Sequence, residues 1–274
     1  MDPLRLVIII AACVSVFCWV ASVATRDSSW VDRMWSIVPM VYVAVFAAAA
    51  DFQDLRLNVM AVLVALWGTR LTFNFARKGG YSGVEDYRWP VVRARMKPWQ
   101  YQVFNVVFIV LAQNALLVLI TLPALTAYEN QATAFGPTGV LLAALFLACL
   151  AGETIADQQQ WRFHAWKRAE QKAGRTPDPQ FLQTGLFRFS RHPNYFFEQA
   201  MWWIVFLFGA SAAGSLWQWT GLGAVLLTLL FIGSTRLTEE ITRSKYPEYA
   251  QYQARTSMVV PWFPRRPRTA VEAA

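Results

Sequence analysis

Apolar runs close to the ~20 residues that a helix needs to cross a ~30 Å hydrocarbon core recur along this chain, and they restrict its fold more than any other feature. A segment in lipid must satisfy its own backbone, so only helices and closed barrels qualify. The ten-residue alternation of a barrel strand is missing from the sequence. The pattern predicts an all-α polytopic membrane protein with about seven transmembrane helices, in a single integral membrane domain over 1–274. The spans fall at about 5–25, 34–50, 55–75, 101–124, 138–157, 198–213 and 220–236. Composition agrees: 15% of residues are charged, against roughly 25% in an ordinary soluble domain. The first run follows a single basic residue, Arg5, and is longer than a typical signal core, so a retained first span is expected.

Lysine and arginine are distributed unevenly between the spans. They crowd into 76–100, 158–197 and the tail 237–274, while the connections 125–137 and 214–219 contain none. The positive-inside rule therefore places the two long loops and the C-terminus in the cytoplasm and the N-terminus outside. Seven alternating spans satisfy all of these placements. The same distribution accounts for the net charge of +8, and no recognition motif accompanies it, so nucleic acid is not an expected partner. Cys13, Cys18 and Cys149 lie in apolar runs without metal-ligand spacing, and the chain has only 2 histidines, so no metal site is expected.

Polar residues inside or beside the spans are the candidates for chemistry, because lipid makes them costly. In the stretch 185–198, Arg188, Arg191, His192, Asn194, Tyr195 and Glu198 crowd the start of a span. Pro193 suits the first helical position, Asn194 and Glu198 share a face, and helix N-termini favour phosphate. The third span ends with Arg70, Asn74, Arg77 and Lys78 on one face, either snorkelling to headgroups or facing phosphate. The fifth ends with Glu153, Asp157, Gln160 and His164 in register, with Arg162 beside them. An ion pair with Arg70 or Arg236 is the structural alternative there. The last span runs out through Arg236, Glu239, Arg243, Tyr246, Tyr249 and Tyr252. Its charges at i, i+4 would stabilise a helical extension, and its tyrosines could wall an aromatic ring. Neither a P-loop nor a Rossmann glycine fingerprint is present.

With those residues in view, the chain resembles the steroid 5α-reductase (3-oxo-5α-steroid 4-dehydrogenase) family in its bacterial branch, most strongly over about 150–264. The resemblance rests on Glu153 and Asp157, on Gly185-Leu-Phe-Arg with Arg191-His-Pro-Asn-Tyr-Phe-Phe-Glu198, and on Glu239-Glu240, Lys245-Tyr246-Pro, Tyr249 and Val260-Pro261 with Phe263-Pro264. The Arg-His-Pro-Asn-Tyr core also occurs in sterol reductases and, more loosely, in isoprenylcysteine and phospholipid methyltransferases. It therefore identifies a superfamily and leaves the chemistry open.

The resemblance implies NADPH as cofactor, a steroid or steroid-like lipid as substrate, and residence among membrane lipids in a bacterial inner membrane. Cofactor-binding residues would be Arg70, Asn74, Arg77, Lys78, Asp157, Arg162, His164, Arg188, His192, Asn194, Tyr195, Glu198, Arg236, Glu239 and Tyr249. The family's C-terminal tyrosine and histidine fall on Glu239 and Thr235 here, so those two roles do not carry over. Gln53-Asp54 resembles the family's Gln-Glu pair and Tyr87 its partner tyrosine, with Tyr81 in competition. The implied reaction is reduction of the Δ4 double bond of a 3-oxo-Δ4 steroid, with hydride to C5. Gln53, Asp54 and Tyr87 would stabilise the C3 enolate, donors at such an oxygen being worth a few kcal/mol each. That role needs a protonated Asp54, because an ionised carboxylate only accepts. A methyltransferase using S-adenosylmethionine, a reductase of another lipid enone, and a non-catalytic lipid-binding protein are the alternatives.

Overall fold

The computed structural model describes residues 1–265, so the end of the basic tail, 266–274, lies outside the described residues. Helices account for nearly all of the regular structure, and no strand forms among the described residues. Six helices are long and apolar enough to cross a membrane: Pro3–Thr25, Leu55–Arg77, Pro98–Glu129, Gly136–Lys172, Pro193–Ala213 and Trp219–Lys245. The chain divides into two compact units, Met1–Leu147 with Met201–Leu229, and Ala148–Ala200 with Leu230–Ala274.

Unit 1 begins with α1 (Pro3–Thr25), capped by the Asp2 side chain on the Leu4 amide at 3.0 Å and closed by Arg26 in the left-handed region, φ 56°. The short α2 (Trp30–Met34) and α3 (Val38–Ala49) stand where the sequence predicts the second span. With 12 residues, α3 is about 18 Å long, short of a membrane's hydrocarbon thickness. The segment 36–52 that contains it nevertheless runs antiparallel along α4 (Leu55–Arg77). At one end the Ser36 and Thr72 hydroxyls meet at 2.7 Å, and at the other the Asn58 amide donates to the Phe52 carbonyl at 2.6 Å. Gly68 permits this approach, because a Cβ there would lie 2.5 Å from the Ser36 carbonyl oxygen and the Met40 sulfur.

The predicted loop 76–100 carries two short helices, α5 (Arg88–Ala94) and the first turns of α6 (Pro98–Phe104). It is tied to the 26–34 turn by buried and half-buried polar contacts. Arg33 donates to Asp27 at 2.5 Å and to the Gly80 carbonyl at 2.9 Å, Trp89 Nε1–H donates to Asp32 at 2.9 Å, and Glu85 accepts from the Ser28 amide and from Arg93. Desolvation pushes the Asp32 carboxyl upward while Arg88 pulls it down. At the opposite end of α4, the buried Arg56 donates to the carbonyls of Thr133 and Ala134 at 3.2 and 2.9 Å.

The fourth predicted span is one run from Pro98 to Glu129, interrupted by a π-helical segment Asn105–Ala112 between α6 and α7 (Gln113–Thr121), with α8 (Pro123–Glu129) after it. The core of this unit includes Val7, Cys18, Tyr42, Phe46, Trp67, Leu117 and Phe208. Three further helices, α9 (Gly136–Lys172), α10 (Pro193–Ala213) and α11 (Leu222–Lys245), contribute residues to both units. With 37 residues, α9 is about 55 Å long. Residues 158–172, expected in a loop, therefore continue the fifth span as helix, because nothing between Gln158 and Lys172 breaks it.

Candidate functional site

Unit 2 gathers most of the residues expected to hold a cofactor. Its centre is the turn that leads into α10. Gly185 sits at φ 63°, and a Cβ there would come within 2.6 Å of the Gln159 amide, so only glycine fits. Gln159 then accepts from the Leu186 amide at 3.0 Å and fixes the start of a single 3₁₀ turn, Gly185–Arg188. Beyond it, residues 189–192 are pinned along the C-terminal strap. The Arg191 and His192 amides donate to the carbonyls of Ser257 and Met258 at 2.8 and 3.1 Å, the Ser190 hydroxyl to Val259 at 2.7 Å, and the Trp262 amide to Phe189 at 2.9 Å. Pro193 opens α10, as its fixed φ favours.

Arg191 and Glu239 form the anchor of this arrangement. The guanidinium donates to Glu239 from Nε at 2.6 Å and from Nη2 at 2.9 Å, and its Nη1 serves the carbonyls of Gln253 and Thr256. Both side chains are less than a tenth exposed. Glu239 also meets His192 Nε2 at 3.0 Å, Gln253 Nε2 at 2.8 Å and the Tyr249 hydroxyl at 3.3 Å. These partners saturate a carboxylate's acceptor capacity. Glu239 and Tyr249, expected among the cofactor contacts, hold the turn to α11 and to α12 (Tyr249–Arg255).

The tyrosines after α11 wall an aromatic ring, and that ring is the protein's own. Phe181 packs on Tyr246, Tyr249 and Tyr252 with centroids 6.2, 5.0 and 5.7 Å away. Tyr252 donates to the Phe187 carbonyl, and Lys167 donates to Tyr246 and to the Gln180 carbonyl at 2.8 and 2.6 Å. Burial pushes the phenols of Tyr249 and Tyr252 above their ordinary range, so both remain neutral donors. Gln159, Lys167 and Gln253 were missed as site builders. For Gln159 and Lys167 the sequence signal is a polar residue on a helix that continues past the membrane, whereas Gln253 lies on the short, separate α12.

What remains open to a ligand in this unit is polar. A groove of about 540 Å³ is lined by Arg236, Glu239, Glu240, Arg243, Ser244 and Gln253. Arg188 is exposed beside Phe189, and Arg162 and His164 are exposed on α9. His192 stacks on Tyr195 with centroids 5.3 Å apart, and Tyr195 meets Phe231 edge-on. A Cβ on Gly152 would lie 2.5 Å from the Phe197 ring. That close approach sets the α9 turn bearing the buried Glu153 and Asp157 beside the α10 turn bearing Asn194 and the buried Glu198. Among the described residues no cluster of metal ligands occurs.

Unit 1 holds the other candidates, and there the expected grouping fails. Asp54 is the N-cap of α4, accepting from the Leu57 amide at 2.7 Å, and Gln53 is exposed, donating to the Asp51 carbonyl at 3.2 Å. Tyr87 is 51% exposed and follows the C-terminal end of α4, 23 residues away, which is about 34 Å of helix. Tyr81 lies at that same end, donating to the Arg33 carbonyl at 3.1 Å with its ring edge-on to Phe75. Gln53, Asp54 and Tyr87 therefore do not surround one carbonyl oxygen. The Asp54 carboxylate, moreover, acts as an acceptor at a helix N-terminus, where a negative charge is favoured. The α4 stripe does share one face: the buried Asn74 accepts from Arg77 Nε at 2.9 Å, with Arg70 one turn before and Lys78 exposed at the end.

No solved structure matches this chain. An uncharacterized protein of Schizosaccharomyces pombe is 39% identical over 259 residues, covering 89% of this chain and 75% of its own length. The family described as protein of unknown function (DUF1295) matches residues 18–256, from the middle of α1 to the end of α12. On that match, which includes the pinned turn, both helices that flank it and the Arg191–Glu239 anchor, the chain belongs to the DUF1295 family.

Proposed function

We propose that this protein is an NADPH-dependent membrane reductase of a lipid enone, with a 3-oxo-Δ4 steroid as the model substrate and a 5α-reduced 3-oxo steroid as the product. The observation that carries the reading is the pinned Arg-His-Pro-Asn-Tyr turn beside a groove lined by Arg236, Arg243, Ser244 and Gln253. That donor set fits a dinucleotide. The two arginines can donate to phosphate oxygens, while Ser244 donates to the Ile241 carbonyl and Gln253 to Glu239, and Arg191 neutralises Glu239, the buried carboxylate of the groove. Arg236 and Arg243 would hold phosphate, and the His192–Tyr195 stack would offer an aromatic surface. Bound there, NADPH would supply a hydride, and with one proton from solvent the conjugated C=C bond would become saturated. Preference for NADPH over NADH rests on the family resemblance and on arginines able to take a 2′-phosphate.

The carbonyl-polarising group is not the trio expected from the sequence, since Tyr87 and Asp54 lie at opposite ends of α4. Each can be tested singly. Purified protein in lipid nanodiscs, given NADPH and a 4-en-3-one steroid, is expected to oxidise NADPH and release the saturated ketone, identified by mass. Asn194→Ala and Arg243→Ala should each raise KM for NADPH several-fold. Methyl transfer from S-adenosylmethionine without NADPH consumption would overturn the reading, and so would NADPH binding without turnover across a panel of lipid enones.

A further inference from the structure

The C-terminal strap braces the turn before α10 with its backbone and leaves its largest side chains exposed. Val260, Trp262 and Phe263 are 62, 71 and 77% exposed, on a main chain that is fixed. The Trp262 amide donates to the Phe189 carbonyl at 2.9 Å and the Arg265 amide to the Arg255 carbonyl at 2.8 Å. Phe263 meets Phe189 edge-on with ring centroids 6.0 Å apart, and the Arg188 guanidinium lies 5.9 Å from the Phe189 centroid. Exposed aromatic rings and exposed arginines thus share one patch. No carboxylate offsets its charge from within the strap: between Tyr249 and Arg268 the sequence holds Arg255, Arg265, Arg266 and Arg268 and no aspartate or glutamate.

Position and backbone chemistry decide what covers such a patch. Phe189 stands four residues before Pro193, where the membrane-long α10 begins, so the patch lies at the boundary of the leaflet in which that helix starts. Non-helical backbone close to hydrocarbon is costly unless its donors are satisfied. Here Pro261 and Pro264 have no N–H, and the Trp262 and Arg265 amides are already bonded. Tryptophan and other amphipathic rings favour the headgroup level, and basic residues beside them favour anionic headgroups. We propose that the strap is an interfacial anchor. Trp262 and Phe263 insert among the lipids of that leaflet, and Arg255 and Arg265 hold anionic phospholipid headgroups against them. This gives a role to the Val260-Pro261 and Phe263-Pro264 pairs, and it does not depend on the reductase reading.

The test uses the full chain in nanodiscs holding one copy each, in a background lacking Cys13, Cys18 and Cys149. A nitroxide attached through Val260→Cys reports collisions with oxygen, which concentrates in lipid, and with a nickel chelate, which stays in water. A second, attached through Lys172→Cys at the exposed end of α9, is the aqueous reference. In bilayers containing phosphatidylglycerol, the ratio of oxygen to chelate collisions at position 260 is expected to exceed that at 172 several-fold. Trp262→Ser combined with Phe263→Ser should return it to the reference. Arg255→Gln combined with Arg265→Gln should lower it, as should replacing phosphatidylglycerol by phosphatidylcholine. Equal ratios at the two positions overturn the proposal. Shielding of position 260 from both reagents overturns it too, because protein then covers the strap, and so does a ratio indifferent to both the arginines and the headgroup charge. Should the Val260→Cys protein fail to fold, a label attached through Phe263→Cys reads the same ratio.

Discussion

Arg191 shows how a residue's role is decided by a partner that sequence spacing does not reveal. Its neighbours in the chain mark it as part of an anion grip, yet its guanidinium is closed by Glu239, 48 positions away, and by two backbone carbonyls. The ion pair is nearly dry, and removing one member of such a pair leaves an uncompensated buried charge. Glu239→Gln or Arg191→Met is therefore expected to cost about 3–5 kcal/mol, measured by denaturant or thermal unfolding. Arg191→Lys should recover little of it, because an ammonium cannot reproduce two parallel bonds to a carboxylate and still serve two carbonyls. The combined Arg191→Met and Glu239→Met protein should be more stable than the sum of the single losses implies. If each single change proves harmless, the turn before α10 is held by the strap alone. Asp54 carries the opposite lesson. A carboxyl at the start of an apolar run is legible as a helix cap as readily as a catalytic group, and here it accepts from the Leu57 amide as a cap does.

Among the elements, hydropathy made the six long helices visible because lipid leaves the backbone no alternative. Three features escaped it. α3 is shorter than a span, since Val38-Pro39 starts it late and the turn at 50–52 ends it early. The π-helical segment inside the Pro98–Glu129 run has no signature in an apolar sequence. Helix–helix contact distances are likewise invisible until the neighbouring helix is in place. Two glycines of α11 illustrate this last point. A Cβ on Gly223 would meet the Leu119 carbonyl oxygen at 2.3 Å, backbone that cannot yield, whereas one on Gly233 would meet nothing within 4 Å. Gly223→Val should therefore force α11 from α7 and lower the unfolding midpoint, overpacking of this kind costing typically about 1–3 kcal/mol. Gly233→Ala should be neutral or stabilise by up to about 1 kcal/mol, through helix propensity. Equal effects of the two substitutions would mean that α7 and α11 do not touch at that point.

For the molecule as a whole, the short α3 could have upset the topology, because a helix that turns back without crossing would invert every later connection. Contacts within unit 1 argue against that. The chain meets one end of α4 through Arg33–Gly80 and Ser36–Thr72 and the other through Phe52–Asn58, so it travels the full length of a membrane-spanning helix. The segment after α8 joins the second of these ends, through Arg56 to Thr133 and Ala134. Residues 78–87 and 130–135 must then face opposite sides of the bilayer. The first is flanked by Arg77, Lys78, Arg88 and Arg93, while the second lies in a connection with no lysine or arginine. The positive-inside rule assigns the first to the cytoplasm. In a background lacking Cys13, Cys18 and Cys149, a cysteine replacing the exposed Gln131 should react with a membrane-impermeant maleimide added to intact cells, and one replacing the exposed Ser82 should react only after permeabilisation. The reverse pattern would invert the orientation. Labelling of both positions from one side would mean that α3 does not complete a crossing.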